Sequence, residues 1–384
     1  MTYHLGIDLG TTYTAAAVHA GGRVEVVSLG ERTPSVPSVL YLRPEGDLLA
    51  GDAAERHAVT DPERVAREFK RRLGDPTPMM LGGNPTPPEV LTGHLLRWVH
   101  DTVVHQRGER PATLALTHPA NWGSYKRDLF AKAAEVAGVP AATMVTEPQA
   151  AAISYASEER VEPGAVLAIY DLGGGTFDAA ALRKEPDGRF TSLGTPEGIE
   201  RLGGIDFDAA VFAHVSAALG GVIEELDPDD PNAVAAVARL RQECTQAKEA
   251  LSSDSDATVP VLLPNVQTEV RLSRGEFEEM IRPTLAETMT ALGRALRSAG
   301  LSSADVHHVL LVGGSSRIPL VAQLVSASIG RPVAIDVHPK HAIALGAAHV
   351  AARAAGVPTA DAHARGVPGG GYGMAGAAGG GYGM

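Results

Sequence analysis

Three glycine-rich turns carry the residue types that phosphate chemistry needs: DLGTT at residues 8–12, DLGGGTFD at 171–178 and VGGSSRIP at 312–319. Each follows an apolar run that reads as a strand. Glycine lets backbone N–H groups come close to phosphate oxygens, and threonine or serine hydroxyls add further donors. An aspartate opens each of the first two turns, Asp8 and Asp171. A carboxylate facing a polyphosphate needs a cation between them, which points to Mg2+. One such turn is commonly a plain β-turn; three at strand ends, two with matched aspartates, point to a nucleotide site. No GxxxxGK followed by Ser or Thr occurs, and no GxGxxG turn lies between a strand and a helix. The phosphate loop is therefore neither a Walker A loop nor a dinucleotide fingerprint.

The elements that must position these turns follow from periodicity and punctuation. Residues 4–18 (HLGIDLGTTYTAAAV) read as a hairpin, and 24–29 and 39–42 as strands. A helical stretch is expected around 62–73, a proline-rich loop over 77–88, and a helix over 89–107. Then come a strand at 113–119 and a helix at 124–137 closed by Gly138. Residues 166–182 (VLAIYDLGGGTFDAAAL) repeat the plan of the first hairpin, which suggests two lobes of related fold facing each other. Helices are expected at 205–219, 232–251, 274–299, after Pro319, and at 339–355, with strands at 259–263, 269–272, 306–314 and 332–337. Beyond Gly356 the composition turns to Gly, Ala, Pro and His, with GGGYGM at 369–374 and 379–384, so 357–384 reads as a flexible tail.

Composition bounds the function classes. The 384 residues carry 33 basic and 45 acidic side chains, a formal charge of −12, which argues against a nucleic-acid or anionic-membrane surface. Cys244 is the single cysteine, so an internal disulfide and a cysteine metal cluster are excluded. No apolar run reaches the ~18 residues of a membrane helix and no secretory pattern opens the chain, so a cytoplasmic, soluble protein is expected. Cys244 and the pair His307–His308 read as packing residues, and the acidic run 224–230 as a solvated loop. Lys70, between Phe69 and Arg71–Arg72, would by itself read as part of a solvated helix face, and Pro119 as a strand-terminating proline.

Nine motifs together carry a resemblance: GIDLGTTY (6–13), FKRRLG (69–74), THPANW (117–122), VTEPQAAAISYA (145–156), YDLGGGTFD (170–178), LGGIDFD (202–208), AKEALSS (247–253), LLVGGSSRIP (310–319) and HPKHAIALGAA (338–348). In this order they resemble the ATPase domain of the 70-kDa heat-shock protein (DnaK-type chaperone) family over roughly residues 3–356. The resemblance implies an α/β, actin-like ATPase (ribonuclease H-like) fold with a nucleotide cleft between two lobes. Lobe I would span 1–163, with a subdomain at about 36–106. Lobe II would span 164–356, with a subdomain at about 213–283, and the final helix 339–355 would pack back on lobe I.

What the resemblance implies for the site is carried over by position. Gly10, Thr11 and Thr12 match the first phosphate loop, Tyr13 a backbone K+ contact, and Gly173, Gly174, Gly175 and Thr176 the second phosphate loop. Lys70 matches the catalytic lysine, and Glu147 a carboxylate beside the attacking water. Asp8, Asp171 and Asp178 match carboxylates that organise Mg2+, K+ and water. Gly203 and Gly204 match a close approach to the nucleotide, Lys248 and Ser252 ribose and adenine contacts, and Gly313, Gly314, Ser315 and Arg317 the adenosine loop. Pro119 and Arg127 match residues that relay nucleotide state.

Departures stand beside these matches. Thr245 takes the place of a glutamate, Glu249 of an arginine beside adenine, and Lys340 of an acidic residue. The segment VPVLLPNVQTEV (259–270) is shorter than usual for a site where an exchange factor docks. No peptide-binding domain is expected after the final helix, since residues 357–384 read as a Gly-rich tail. The reading is a slow, Mg2+- and K+-dependent ATPase, using ATP and yielding ADP, coupled to protein folding or assembly through lobe closure. A J-domain-type co-chaperone, an exchange factor or a separate client-binding protein would be its partners. The alternatives are a non-hydrolysing actin-like switch or filament protein and a sugar kinase of the same fold.

Overall fold

The structure is a computed structural model and describes residues 2–31, 33–58, 60–331, 333–335 and 341–357. The expected tail from residue 358 onward, Lys340, and Pro332 with 336–337 of the expected strand 332–337 lie outside the described residues.

Two mixed sheets share one strand plan. The first runs β5–β4–β1–β2–β3, where β1 is Tyr3–Leu9, β2 Tyr13–Ala20, β3 Arg23–Val27, β4 Thr113–His118 and β5 Thr143–Thr146. The second runs β8–β7–β6–β11–β12. Its strands are β6 Val166–Leu172, β7 Phe177–Lys184, β8 Phe190–Ile199, β11 His308–Val312 and β12 Val333–Ile335. In each sheet the central strand pairs antiparallel with the hairpin partner on one side and parallel with a later strand on the other. The echo between the two sequence segments is thus an echo of sheet topology. β9 (Asp256–Leu263) and β10 (Val266–Ser273) form a separate hairpin.

Helices cover both sheets. α1 (Pro88–Arg107) and α2 (Ser124–Ala137) bury Leu91, Leu95, Val99, Phe130 and Ala133 against Leu5, Ile7 and Leu9 of β1. α4 (Gly204–Ala218), α5 (Pro231–Ala250), α6 (Arg274–Ser298) and α7 (Pro319–Ile329) do the same for β6 and β7, through Phe207, Leu240, Phe277, Leu292 and Val321. At ~1.5–3 kcal/mol for each large apolar side chain fully buried, these layers supply most of the driving force. Cys244 belongs to the second layer and is buried. His307 is exposed and accepts the Val166 N–H at 3.1 Å, while the half-buried His308 ring lies 5.9 Å from that of Tyr155, so of the two only His308 packs against another ring.

A third apolar layer joins the two sheets. It holds Ala150 and Ile153 of α3 (Glu147–Glu158) and Ile343 and Ala347 of α8 (Ala342–Ala354), packed with Val145, Leu167 and Ile169. Contact here is backbone to backbone. A Cβ on Gly346 would lie 1.8 Å from the Ala150 carbonyl oxygen, and one on Gly6 of β1 would lie 2.2 Å from the Ala348 nitrogen. Only glycine permits these two approaches.

Two expectations are corrected. The segment expected as a helix over 62–73 is a 3-10 turn at Pro62–Arg64, a short strand at Val65–Ala66, and a run of turns over 69–74. Glu68 adopts φ +56°, a left-handed conformation that ends any right-handed helix there. The expected loop at 77–88 contains a hairpin, Met79–Leu81 with Asn84–Thr86. Gly82 and Gly83, at φ +56° and +80°, make its two-residue turn. β5 and β8 carry no clear period in the sequence; β8 contains Gly194, Pro196 and Gly198.

Candidate functional site

The two central hairpins end in turns of one geometry. The Gly10 N–H donates to the Tyr13 carbonyl at 3.0 Å, and the Gly173 N–H donates to the Thr176 carbonyl at the same distance. The tips meet. A Cβ on Gly174 would lie 2.2 Å from Thr12 Oγ1, and one on Gly175 2.5 Å from Thr11 Cγ2. The next glycine pair closes on the same point: the Gly204 and Ile205 N–H groups donate to the carbonyls of Gly173 and Gly174 at 3.1 and 2.7 Å. From the third turn, Ser315 Oγ donates to the Gly173 carbonyl at 2.9 Å. Gly313, at φ +84°, brings its backbone so near that a Cβ would lie 2.5 Å from Asp171 Oδ1. Gly10, Thr11, Thr12, Gly173–Thr176, Gly203, Gly204, Gly313 and Ser315 therefore converge.

Beside the turns lies a buried charge cluster. Lys70 Nζ donates to Glu147 Oε1 at 2.6 Å, with both side chains less than a tenth exposed. The left-handed turn at Glu68 brings Lys70 inward, so the solvated-face reading of Lys70 taken alone is corrected too. Glu147 is the first residue of α3, whose start is set by a capping box: Thr146 Oγ1 accepts the Gln149 N–H, and Gln149 Oε1 accepts the Thr146 N–H. A carboxylate in that first turn is favoured by the helix dipole. Asp8 accepts the Thr117 hydroxyl at 2.7 Å. Asp171 and Asp178 face each other in register across the second hairpin, while Asp8 faces Ala15 at the matching pair of the first. Asp178 Oδ1 and the neighbouring Asn121 Oδ1 are buried without a hydrogen-bond partner among the described residues.

One ammonium thus faces four carboxylates. Burial raises the pKa of Asp8 to about 6, with Glu147 adding to the rise and Lys70 opposing it. Asp171 and Asp178 are pushed well above the usual carboxylate range, first by burial and then by Glu147. Burial works against the Lys70 charge, but Glu147, Asp8 and Asp178 outweigh it and hold its pKa above the ordinary value. Such an excess of buried negative charge suits a hard cation with oxygen ligands. No three His, Cys, Asp or Glu side chains among the described residues converge as a ready cage. That arrangement fits Mg2+, which keeps several waters and shares its ligands with substrate phosphates.

The remaining candidates stand around this centre. Lys248 Nζ donates to the Gly204 carbonyl at 3.2 Å and pairs with Asp208 Oδ1 at 2.7 Å. Tyr13 is partly exposed beside Glu249 and Asp208; burial first, then Glu249, raises its phenol to about 12. Ser252 is half-buried in the turn after α5, and Arg317 is exposed at the end of the turn Gly314–Arg317. Neither makes a hydrogen bond to the carboxylate cluster among the described residues. Pro119 follows β4 directly, and Arg127 is exposed in the first turn of α2. A small cavity between the turns is lined by Thr11, Lys70, Pro119, Trp122 and Thr176. A groove of about 500 Å³ between α1 and the strand Leu48–Ala50 shares no lining residue with this cavity.

Sequence reasoning missed several side chains. Arg71 Nη2 reaches Asp206 Oδ2 at 3.3 Å, and Asp206 also accepts the Gly203 N–H at 2.8 Å, tying the Lys70 segment to the start of α4. Thr117, Asn121 and Trp122 touch the centre as described above. Only the motif THPANW hinted at them, because their partners lie on other elements.

The sequence matches the model of one protein family, described as Hsp70 protein, over residues 4–80 and 77–364.

Proposed function

Because the chain belongs to the Hsp70 family, whose members are chaperone ATPases, we propose that it binds ATP at the meeting of its glycine turns and hydrolyses it slowly to ADP and phosphate. The observation that supports this most is the pair of matched turns beside one buried ammonium and four carboxylates, of which Glu147, Asp171 and Asp178 are buried and Asp8 half-buried. Backbone N–H groups of Gly10–Thr12 and Gly173–Thr176 would bind the phosphates, and Lys248, Ser252, Ser315 and Arg317 the nucleoside. Asp8, Asp171 and Asp178 would hold Mg2+, largely through water, and with Tyr13 a K+ ion. The metal supplies charge neutralisation on the phosphate oxygens.

No covalent nucleophile is required; in-line attack by water is favoured by positioning and electrostatics. In this reading the Lys70–Glu147 pair opens when ATP binds. The ammonium turns to the γ-phosphate and Glu147 is left to orient the attacking water. Asp178 Oδ1 and the Thr176 hydroxyl complete the hydrogen bonds around that water. Residues 1–163 and 164–356 would act as two lobes whose closure signals nucleotide state, with Pro119 and Arg127 as the relay. A J-domain-type co-chaperone, an exchange factor or a separate client-binding protein would read that signal. No helix among the described residues is long and apolar enough to cross a membrane.

The test is single-turnover hydrolysis of ATP with Mg2+ and K+, native protein against Lys70→Ala. Slow hydrolysis lost in the variant, with ATP still bound, is the expected result. Binding without hydrolysis in both proteins would identify a nucleotide switch in which the Lys70–Glu147 pair stays shut. Absence of ATP binding would refute the reading and implicate Thr245, Glu249 and the Lys248–Asp208 pair.

A further inference from the structure

Two rings beside the catalytic candidates have no part in the chemistry above. Trp122 is almost fully buried, and the centroid of its ring lies 5.9 Å from Lys70 Nζ, within the range of a cation–π contact. His118 stacks on the indole at 6.1 Å between centroids and 13° between planes, and Phe130 of α2 meets it edge-on at 5.6 Å and 76°. The indole is therefore clamped between an imidazole and a phenyl ring, with the ammonium of Lys70 beside it.

The His118 tautomer follows from its partner. Nδ1 lies 2.8 Å from the Pro119 carbonyl oxygen, which can only accept, so Nδ1 carries the proton. Burial lowers the His118 pKa, the Pro119 and Glu147 contacts oppose that, and Lys70 and Arg127 lower it further, so the ring is neutral near pH 7. A neutral ring stacked on the indole does not compete with Lys70 for its electron-rich face.

We propose that Trp122, clamped by His118 and Phe130, is a positioning residue for Lys70: the indole face holds the ammonium when its ion pair with Glu147 opens. This rests on the reading of Lys70 as the group that acts on the γ-phosphate. An ammonium leaving a 2.6 Å ion pair in a buried site needs a second favourable contact, or it pays the desolvation cost unaided. The indole supplies that contact without a fixed negative charge, so the ammonium stays free to turn to phosphate. Through the Pro119 carbonyl, the same clamp ties the position of Lys70 to the proposed relay.

The experiment has two readouts. In single-turnover hydrolysis, Trp122→Leu is expected to slow the chemical step about 5- to 30-fold while ATP affinity changes little. Trp122→Phe, which keeps a ring, should retain most of the rate. In a Lys70→Ala background, Trp122→Leu should leave unchanged the small residual rate that a long single-turnover incubation detects. A slowing of the same factor with and without Lys70 would make Trp122 merely structural and overturn the proposal. The second readout needs no turnover. In a Trp98→Phe protein Trp122 is the sole indole, and its emission should change on Lys70→Ala and on adding MgATP. Emission unmoved by Lys70→Ala would overturn the proposal even if ATP is hydrolysed. An emission change in a protein that hydrolyses nothing would uphold the contact and refute only the catalytic reading.

Discussion

Asp8→Asn isolates the electrostatic tension of the site. Asp8 is half-buried at the end of β1, and its carboxyl has a pKa of about 6 in the folded protein against an ordinary 3.8. The folded state therefore holds that proton more tightly than the unfolded chain does. Between those two values stability falls as pH rises, and above the higher one the full penalty is present. Converted at 1.36 kcal/mol for each pH unit of difference, the ionised Asp8 costs about 3 kcal/mol at pH 7. Asparagine removes the charge yet keeps an oxygen to accept the Thr117 hydroxyl, bonded at 2.7 Å in the native protein. In urea unfolding with EDTA and no nucleotide, Asp8→Asn should be more stable than the native chain by about 3 kcal/mol at pH 7, and by nearly nothing at pH 4. With saturating MgATP the order should contract or invert, because bound cation rewards the carboxylate. A variant no more stable than native at pH 7, or a gain that persists at pH 4, would refute the account of the cluster as an over-charged cation site.

Two other perturbations probe the frame. Gly346→Ala places a methyl group where the Ala150 carbonyl oxygen stands 1.8 Å away, so α8 must move off α3; a loss of about 1–3 kcal/mol in urea unfolding is expected, with slower hydrolysis, and an unchanged midpoint would contradict the contact. His4 and His19, paired across β1 and β2 and both buried, have pKa values lowered by burial, with His4 adding to the effect on His19. The unfolded chain takes up protons that these folded rings refuse, so their contribution is complete above about pH 6.5 and is lost as pH falls. Because the carboxylate cluster pulls the opposite way, the comparison is between native and His4→Gln/His19→Gln protein: the variant should lose less stability from pH 7 to 5, and parallel curves would show the rings to be solvated.

The phosphate turns were legible because their chemistry is local. Gly10 and Gly173 close the same short hydrogen bond, and the turn residues sit at fixed offsets from Asp8 and Asp171. The long helices were legible from apolar spacing and caps, as in Ser124–Ala137 with Gly138 behind it. Lys70 was not legible from its neighbours. Its inward aim depends on a left-handed Glu68, which no side-chain pattern announces, and on Glu147, seventy-seven residues away. β8 was hidden for a related reason: its glycines and proline are turn-formers that tertiary pairing with β7 overrules. Trp122 stood in plain view within THPANW, but its meaning depends on His118, Phe130 and Lys70 meeting in space.

The glycine contacts of α8 set the mechanics of the molecule. A side-chain interface is compliant, because rotamers shift and absorb a displacement before it travels. At Gly346 against Ala150 and Gly6 against Ala348 the main chains themselves touch. A push along α8 therefore passes with little slack into α3, whose first residue is Glu147, and into β1, whose strand carries Asp8. Helix, partner helix and strand work as a stiff lever with two carboxylates at its short ends. Whatever takes hold of the chain near Val357 takes hold of Glu147 and Asp8 as well.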